Sequence, residues 1–249
     1  MKIGVIGTGN IGKTLVRTLA KAGHDIKIAN SRGPESIDEE ILSFGVSAVA
    51  TDEVVQNVDV IILSIPFAAH VKIKPLLADV PETTVVIDTA NYYPARDGTI
   101  DAIEDGQVES LWVVEQLGRP IAKAWNAIGA RAFAEFGMSP GGPERVAIPV
   151  AADREIDKDV AMRLVEETGF DAFDAGSLED SWRQQPGAPA YCTNLKKEEM
   201  AEALAAAEKE RLPKRRDLAS SVVLERYGLE NLSNADAEYG IKLNRLIYM

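Results

Sequence analysis

Three glycines in the spacing Gly7-x-Gly9-x-x-Gly12 carry the first chemistry in this chain. A short apolar run, Lys2–Ile6, precedes them and a helix-like run to Gly23 follows, which is the context that gives the pattern meaning. Gly7 permits a tight turn, Gly9 lets the backbone approach a pyrophosphate, and Gly12 lets the helix lie close on the strand. Thr8, Asn10 and Ile11 fill the loop between them. The free N–H groups and dipole at the start of that helix attract an anion. A glycine-rich turn with no ligand is the alternative.

The second feature is Asn30-Ser31-Arg32-Gly33-Pro34, after the apolar run Asp25–Ala29. NAD sites place a carboxylate here, about 20 residues beyond the glycines, to bind the ribose 2′-OH. This chain has no acid until Glu35. A guanidinium and a hydroxyl suit a 2′-phosphate instead, so Arg32 is expected to pair with that group of NADP and Ser31 to bond it. An ordinary loop arginine is the alternative.

These residues need a parallel sheet to bring them to one edge. Apolar runs alternate with helical segments through the first half: helix Glu35–Phe44, a strand near Val46–Val49, helix Asp52–Asn57, strand Val58–Leu63, helix Ala68–Leu77 and strand Thr84–Ile87. A variable stretch, Tyr92–Leu117, holds another helix; strands Ile121–Trp125 and Val146–Val150 complete the sheet. The alternation predicts an α/β, doubly wound parallel sheet. Ligands of such sheets lie beyond the carboxyl ends of the strands. Thr8, Asn10, Ser31, Arg32, Ser64, Ile65, Pro66, Ala90, Asn91 and Asn126 therefore fall along one rim. Asn91 and Asn126 suit either a ligand amide or turn chemistry.

Past residue 152 the pattern changes. Helix Glu155–Thr168 and strand Phe170–Phe173 lead to a Pro- and Gly-rich loop, Gln184–Cys192. Helix Lys196–Arg211, expected to stop at Pro213, and short helices Asp217–Tyr227 and Asp236–Tyr248 follow. The expected division is 1–152 for the nucleotide and 153–249 as a mostly helical part. His24 reads as structural. His70 lies nearer the rim and, like Tyr191, is a possible proton donor, although packing is the simpler role for His70. Trp125, Trp182 and Tyr191 suit either an aromatic pocket or the core.

The 249 residues are 46% hydrophobic and carry a formal charge of −12, which argues against nucleic acid and acidic membranes as partners. No apolar run approaches a membrane span and no signal-peptide pattern is read. Cys192 is the only cysteine, which fits a reducing cytoplasm and, without a nearby His, no catalytic thiol. Two histidines and one cysteine give no metal-ligand spacing.

Taken together, Gly7–Gly12, Asn30–Glu35, Ser64-Ile65-Pro66, Asp88–Asn91 and Lys123-Ala124-Trp125-Asn126 resemble the NADP oxidoreductases that use the deazaflavin coenzyme F-420. The resemblance covers about the first 150 residues. It implies a Rossmann domain with a small helical C-terminal part, paired as a homodimer. It implies that Thr8, Asn10, Ile11, Ser31 and Arg32 hold NADP, that Ile65, Pro66, Ala90 and Asn91 lie near the nicotinamide, and that Trp125, Asn126 and Ala127 face the acceptor, a small molecule such as coenzyme F-420 or a flavin. Hydride passing directly between two stacked rings needs no acid or base, so no catalytic side chain is assigned. Two other readings remain: a β-hydroxyacid-type dehydrogenase with Lys242 as its lysine, and an NADPH-binding sensor without turnover.

Overall fold

A computed structural model describes residues 1–228 and 236–249. Its centre is an eight-stranded sheet in the order β3-β2-β1-β4-β5-β6-β7-β8. The strands are β1 (Lys2–Ile6), β2 (Asp25–Ala29), β3 (Ser47–Ala48), β4 (Val60–Leu63), β5 (Val85–Asp88), β6 (Ala122–Lys123), β7 (Ala147–Ala152) and β8 (Asp171–Asp174). The helices are α1 (Asn10–Lys21), α2 (Glu39–Leu42), α3 (Pro94–Asp97), α4 (Asp101–Glu104), α5 (Glu109–Leu117), α6 (Ala130–Glu135), α7 (Glu155–Glu167), α8 (Lys197–Ala205), α9 (Leu212–Tyr227) and α10 (Ala237–Tyr248).

Both faces of the central strands are buried, which is why they read as nearly unbroken apolar runs. The alternation is visible in the packing. Ile3, Val5, Val60, Ile62, Val85 and Ile87 join the cluster under α1, α6 and α7. Ile6, Ile61, Leu63 and Val86 face the opposite way, toward Phe67, Trp112 and Val113. The chain leaves β1 toward β2 and β3, then crosses back to β4 on the other side of β1. That reversal opens a crevice at the carboxyl ends of β1 and β4, directly beyond Gly7.

The expected doubly wound α/β sheet is present, with differences at its ends. All neighbouring strands run parallel except β6 and β7, which pair antiparallel, Lys123 opposite Ala151. Nor does the sheet end at residue 152: α7 and β8 continue it, β8 pairing parallel with β7. Several expected helices are shorter. The segment after β4 forms two 3-10 stretches, Phe67–Lys72 and Lys74–Leu77, the second beginning at the Lys74-Pro75 pair. Residues 51–57 form turns rather than a helix. Pro213 does not stop a helix; it lies in the first turn of α9, where proline's missing N–H costs nothing. The break falls earlier, after Ala205. No helix among the described residues is long and apolar enough to cross a membrane.

Candidate nucleotide and acceptor site

Gly7 has φ of 116°, a conformation that disfavours any side chain. A Cβ there would meet the Ser64 carbonyl oxygen at 2.0 Å, so the ends of β1 and β4 touch through this glycine. At Gly12 a Cβ would strike the Gly7 carbonyl oxygen at 2.2 Å, which fixes how closely α1 approaches its turn. Gly9 differs from both. It has an ordinary φ of −72°, and a Cβ there would meet nothing within 4 Å. Neither conformation nor protein packing requires that glycine. Open space over the N-terminus of a 12-residue helix with no side-chain cap is what an approaching phosphate needs. Thr8 and Ile11 are half-buried beside it, and Asn10 is exposed at the start of α1.

Asn30, at the end of β2, is buried and turned into its own loop. Its side-chain oxygen accepts from the Arg32 N–H at 2.8 Å, and its amide lies 3.0 Å from the Ser36 hydroxyl and 3.4 Å from that of Thr8. The residue where an NAD site would hold an acid here shapes the loop instead. Ser31 and Arg32 project outward: neither the hydroxyl nor the guanidinium has a hydrogen-bond or ion-pair partner among the described residues. Glu35 folds back over Gly33 without pairing to Arg32. Asp38 is held below the usual carboxylate range chiefly by its hydrogen bond from Lys13, at 2.6 Å, with a smaller pull from Arg32.

At the other rim positions, Ile65 is half-buried and Pro66 exposed, leading into the Phe67–Lys72 stretch. Ala90 is buried; its N–H donates to Asp88 and its carbonyl accepts from Lys123. Asn91 and Asn126 bond each other: Asn91 Nδ2 donates to the Asn126 carbonyl at 2.9 Å, and Asn126 Nδ2 donates to Asn91 Oδ1 at 3.1 Å. Gln184 completes this network, donating to Asn126 Oδ1 and accepting from Asn126 Nδ2 at its backbone carbonyl. Asn126 is thus buried and engaged, and it acts by tying Asn91 to the loop before Pro186.

Trp125 does not face an acceptor. Its side chain is 1% exposed, lies in the core under the helices, and donates to Thr168 Oγ1 at 3.2 Å. It holds φ of 56°, a left-handed conformation uncommon for a bulky residue, and so turns the chain sharply at the end of β6. Ala127, two residues on, packs with Tyr191 and Tyr248, and its carbonyl accepts from the Cys192 N–H. His70 is not at the open rim: it is fully buried, its Nε2 2.9 Å from Asp88 Oδ1 and its Nδ1 2.8 Å from the Phe67 carbonyl.

A groove of about 1110 Å³ opens beside this rim. Its walls come from Asn10 and the exposed side of α1, from α6, from Tyr93 and Arg96, from Tyr191 and Cys192, and from α9 and α10. The C-terminal helices α9 and α10 thus form one wall of this groove, with α1 and α6 forming another. Lys242 stands outside, exposed and paired with Glu238 on the same helix, which removes the basis for a dehydrogenase lysine there. Among the described residues no cluster of His, Cys, Asp or Glu could hold a metal ion.

Other buried groups had no role assigned from sequence: Lys123 and Asp88, and Glu109. Lys123 is the one charge in the apolar run Ile121–Trp125 and Asp88 ends Val85–Ile87, and the two are register partners on adjacent strands. That pair of lone opposite charges was the available signal.

Sheet order and glycine loop together have the form of a Rossmann-like α/β domain. Residues 2–92 match the family described as NADP oxidoreductase, coenzyme F-420-dependent, which bears out the resemblance carried by the glycine loop and the Asn30–Glu35 string. The Escherichia coli K12 protein YjhV is 42% identical over 72 residues, 29% of this chain. The chain spans about half, 53%, of that relative's length. The structure is similar to that of protein SMa0349 of Sinorhizobium meliloti, with a TM-score of 0.68 and 28% identity over 79% of this chain and 95% of that one. An Arthrobacter sp. FB24 protein, provisionally described as an F-420-dependent NADP reductase, gives a TM-score of 0.57 at 18% identity, covering 89% of this chain and 94% of that one. At that identity the likeness speaks for the fold.

Proposed function

We propose that the chain is a cytoplasmic NADP(H)-dependent oxidoreductase that passes hydride between NADP(H) and a planar ring acceptor, such as a deazaflavin or a flavin, seated in the groove. The observation that carries the cofactor is the Ser31 and Arg32 pair beyond β2, whose side chains have no partner among the described residues, beside an open helix N-terminus at Gly9. In this reading the N–H groups of Thr8 to Ile11 hold the pyrophosphate, and Arg32 and Ser31 hold the 2′-phosphate. Ser64, Ile65, Pro66, Ala90 and Asn91 flank the nicotinamide, and Ala127 lies toward the acceptor. When bound, the nicotinamide supplies or takes the hydride. The chain's own residues orient two flat partners and keep water from between them, which is where most of the rate enhancement of such a transfer arises.

The reading assigns residues 1–152 to the nucleotide, and the part from 153 on to the acceptor wall and to pairing as a homodimer through α9 and α10. Leu218 and Leu246, exposed on those helices, and Met249 just past α10 suit that role. Light scattering at micromolar concentration tests the pairing, and a monomer would refute it. An acceptor screen with NADPH against deazaflavin, FMN, FAD, quinones and ferric chelates tests the reaction. Turnover with a ring acceptor supports it; tight NADPH binding with none of them turned over would mark a sensor instead.

A further inference from the structure

One end of the groove is lined by phenols. Tyr93 reaches it from the segment after β5, Tyr191 from the loop before α8, and Tyr248 from the last turn of α10. The Tyr93 and Tyr191 hydroxyls are 2.8 Å apart. Two hydroxyls bonded to each other consume one O–H as donor and leave the second over. The Tyr248 hydroxyl has no partner among the described residues, although that side chain is only 3% exposed. Beyond the Cys192 thiol beside Tyr191, neither the spare proton of that pair nor the Tyr248 proton has an acceptor among the described residues, and Ala127, Ala188, Leu212 and Ala219 pack around them.

The segment is also held under strain. Cys192 and Asn194 have φ of 52° and 50°. Asn244 and Arg245 of α10 fix them there, donating to the carbonyls of residues 192, 193 and 194. Strained backbone held by its surroundings is a common mark of a ligand site. The nucleotide rim is one side chain away: Arg96 donates to the Asn91 carbonyl at 2.6 Å and lies over the Tyr93 ring, 5.5 Å from its centre.

We infer that this end of the groove is the acceptor's subsite and that it takes a planar conjugated carbonyl compound, whose oxygen accepts the spare O–H of the Tyr93–Tyr191 pair and that of Tyr248. The inference rests on the reading above and adds the acceptor's orientation: carbonyl edge on the tyrosines, reacting carbon toward Asn91. Burial holds all three phenols above their ordinary range, against an opposing pull from Arg96 at Tyr93 and from Arg216 at Tyr248, so they remain protonated donors. The Cys192 thiol, pushed up to about 12 by burial, is neutral as well. Neutral donors, with the Arg96 guanidinium over the Tyr93 ring, suit the oxygen of a conjugated carbonyl.

The test uses protein saturated with NADP⁺, titrated with riboflavin, 5-deazariboflavin and menadione, and followed by ligand absorbance and protein fluorescence. At least one compound is expected to bind with a shift of its absorption bands. Removing both hydroxyls of the pair, Tyr93→Phe with Tyr191→Phe, should weaken that binding about tenfold and abolish the shift, and Tyr248→Phe should weaken it several-fold. NADPH affinity should not move. Binding that is indifferent to both variants, or no binding by any of the three, overturns the subsite. If NADPH binds normally in that case, only the subsite falls; if NADPH does not bind, the wider reading falls with it.

Discussion

Lys123 Nζ lies 2.6 Å from Asp88 Oδ2, and neither side chain has any exposed surface. The two face each other across β5 and β6. Lys123 also donates to the Ala90 carbonyl, while Asp88 Oδ1 accepts from the Ala90 N–H at 3.1 Å. Both ends of one peptide segment are thus tied to one ion pair. Burial alone would raise the Asp88 carboxyl, but Lys123 and His70 more than offset it and hold it well below the usual carboxylate range. The buried pair is a positioning device: it fixes Ala90 and, through it, the rim at Asn91.

Removing one partner leaves the other charge buried and alone. Lys123→Met is expected to destabilise the fold by about 3–5 kcal/mol in urea unfolding. The double substitution Lys123→Met with Asp88→Asn, which keeps an oxygen for His70 and the Ala90 N–H, should recover part of that loss. If the single substitution costs under ~1 kcal/mol, the pair is not the constraint described.

Glu109 sets a pH dependence of stability. Its carboxylate accepts from the Tyr92 N–H at 3.1 Å, and burial pushes its pKa up to about 7, with Lys123 the leading opposing influence. The unfolded value is 4.5. Between those values the folded chain keeps a proton that the unfolded chain has released. The contribution is therefore full below pH 4.5 and is lost as pH rises through about 7, by about 3 kcal/mol in all. Glu109→Gln should remove this slope in denaturation measured from pH 5 to 8; an unchanged slope would contradict it.

The glycines separate packing from binding. Gly12→Ala drives a methyl into the Gly7 carbonyl and should lower stability by about 1–3 kcal/mol. Gly9→Ala meets no protein atom and should change stability by under ~1 kcal/mol, yet weaken NADPH at least about tenfold by crowding the phosphate. Equal effects of the two on thermal stability would show that Gly9 serves packing.

How much could be read beforehand follows from what each signal depends on. The central strands were legible because both faces are buried and the runs are apolar throughout. The glycine loop was legible because local backbone geometry decides it. The roles of Trp125 and Asn126 were not. Both follow β6, where the left-handed backbone at Trp125 redirects the chain, and a tryptophan gives no sign of such a turn in sequence. The phenol pair escaped notice for another reason: Tyr93 and Tyr191 are 98 residues apart and meet only once the C-terminal loop folds back on the rim. The antiparallel β7 and the added β8 depend on long-range pairing that an apolar run cannot specify.

The account stands most directly on Arg32. Fluorescence titration of wild-type protein and Arg32→Ala with NADPH and NADH measures its claim. NADPH is expected to bind wild type at least about tenfold more tightly than NADH, and Arg32→Ala should remove most of that preference while leaving NADH nearly unchanged. Equal affinities in the wild type, or a preference that survives in Arg32→Ala, would contradict it.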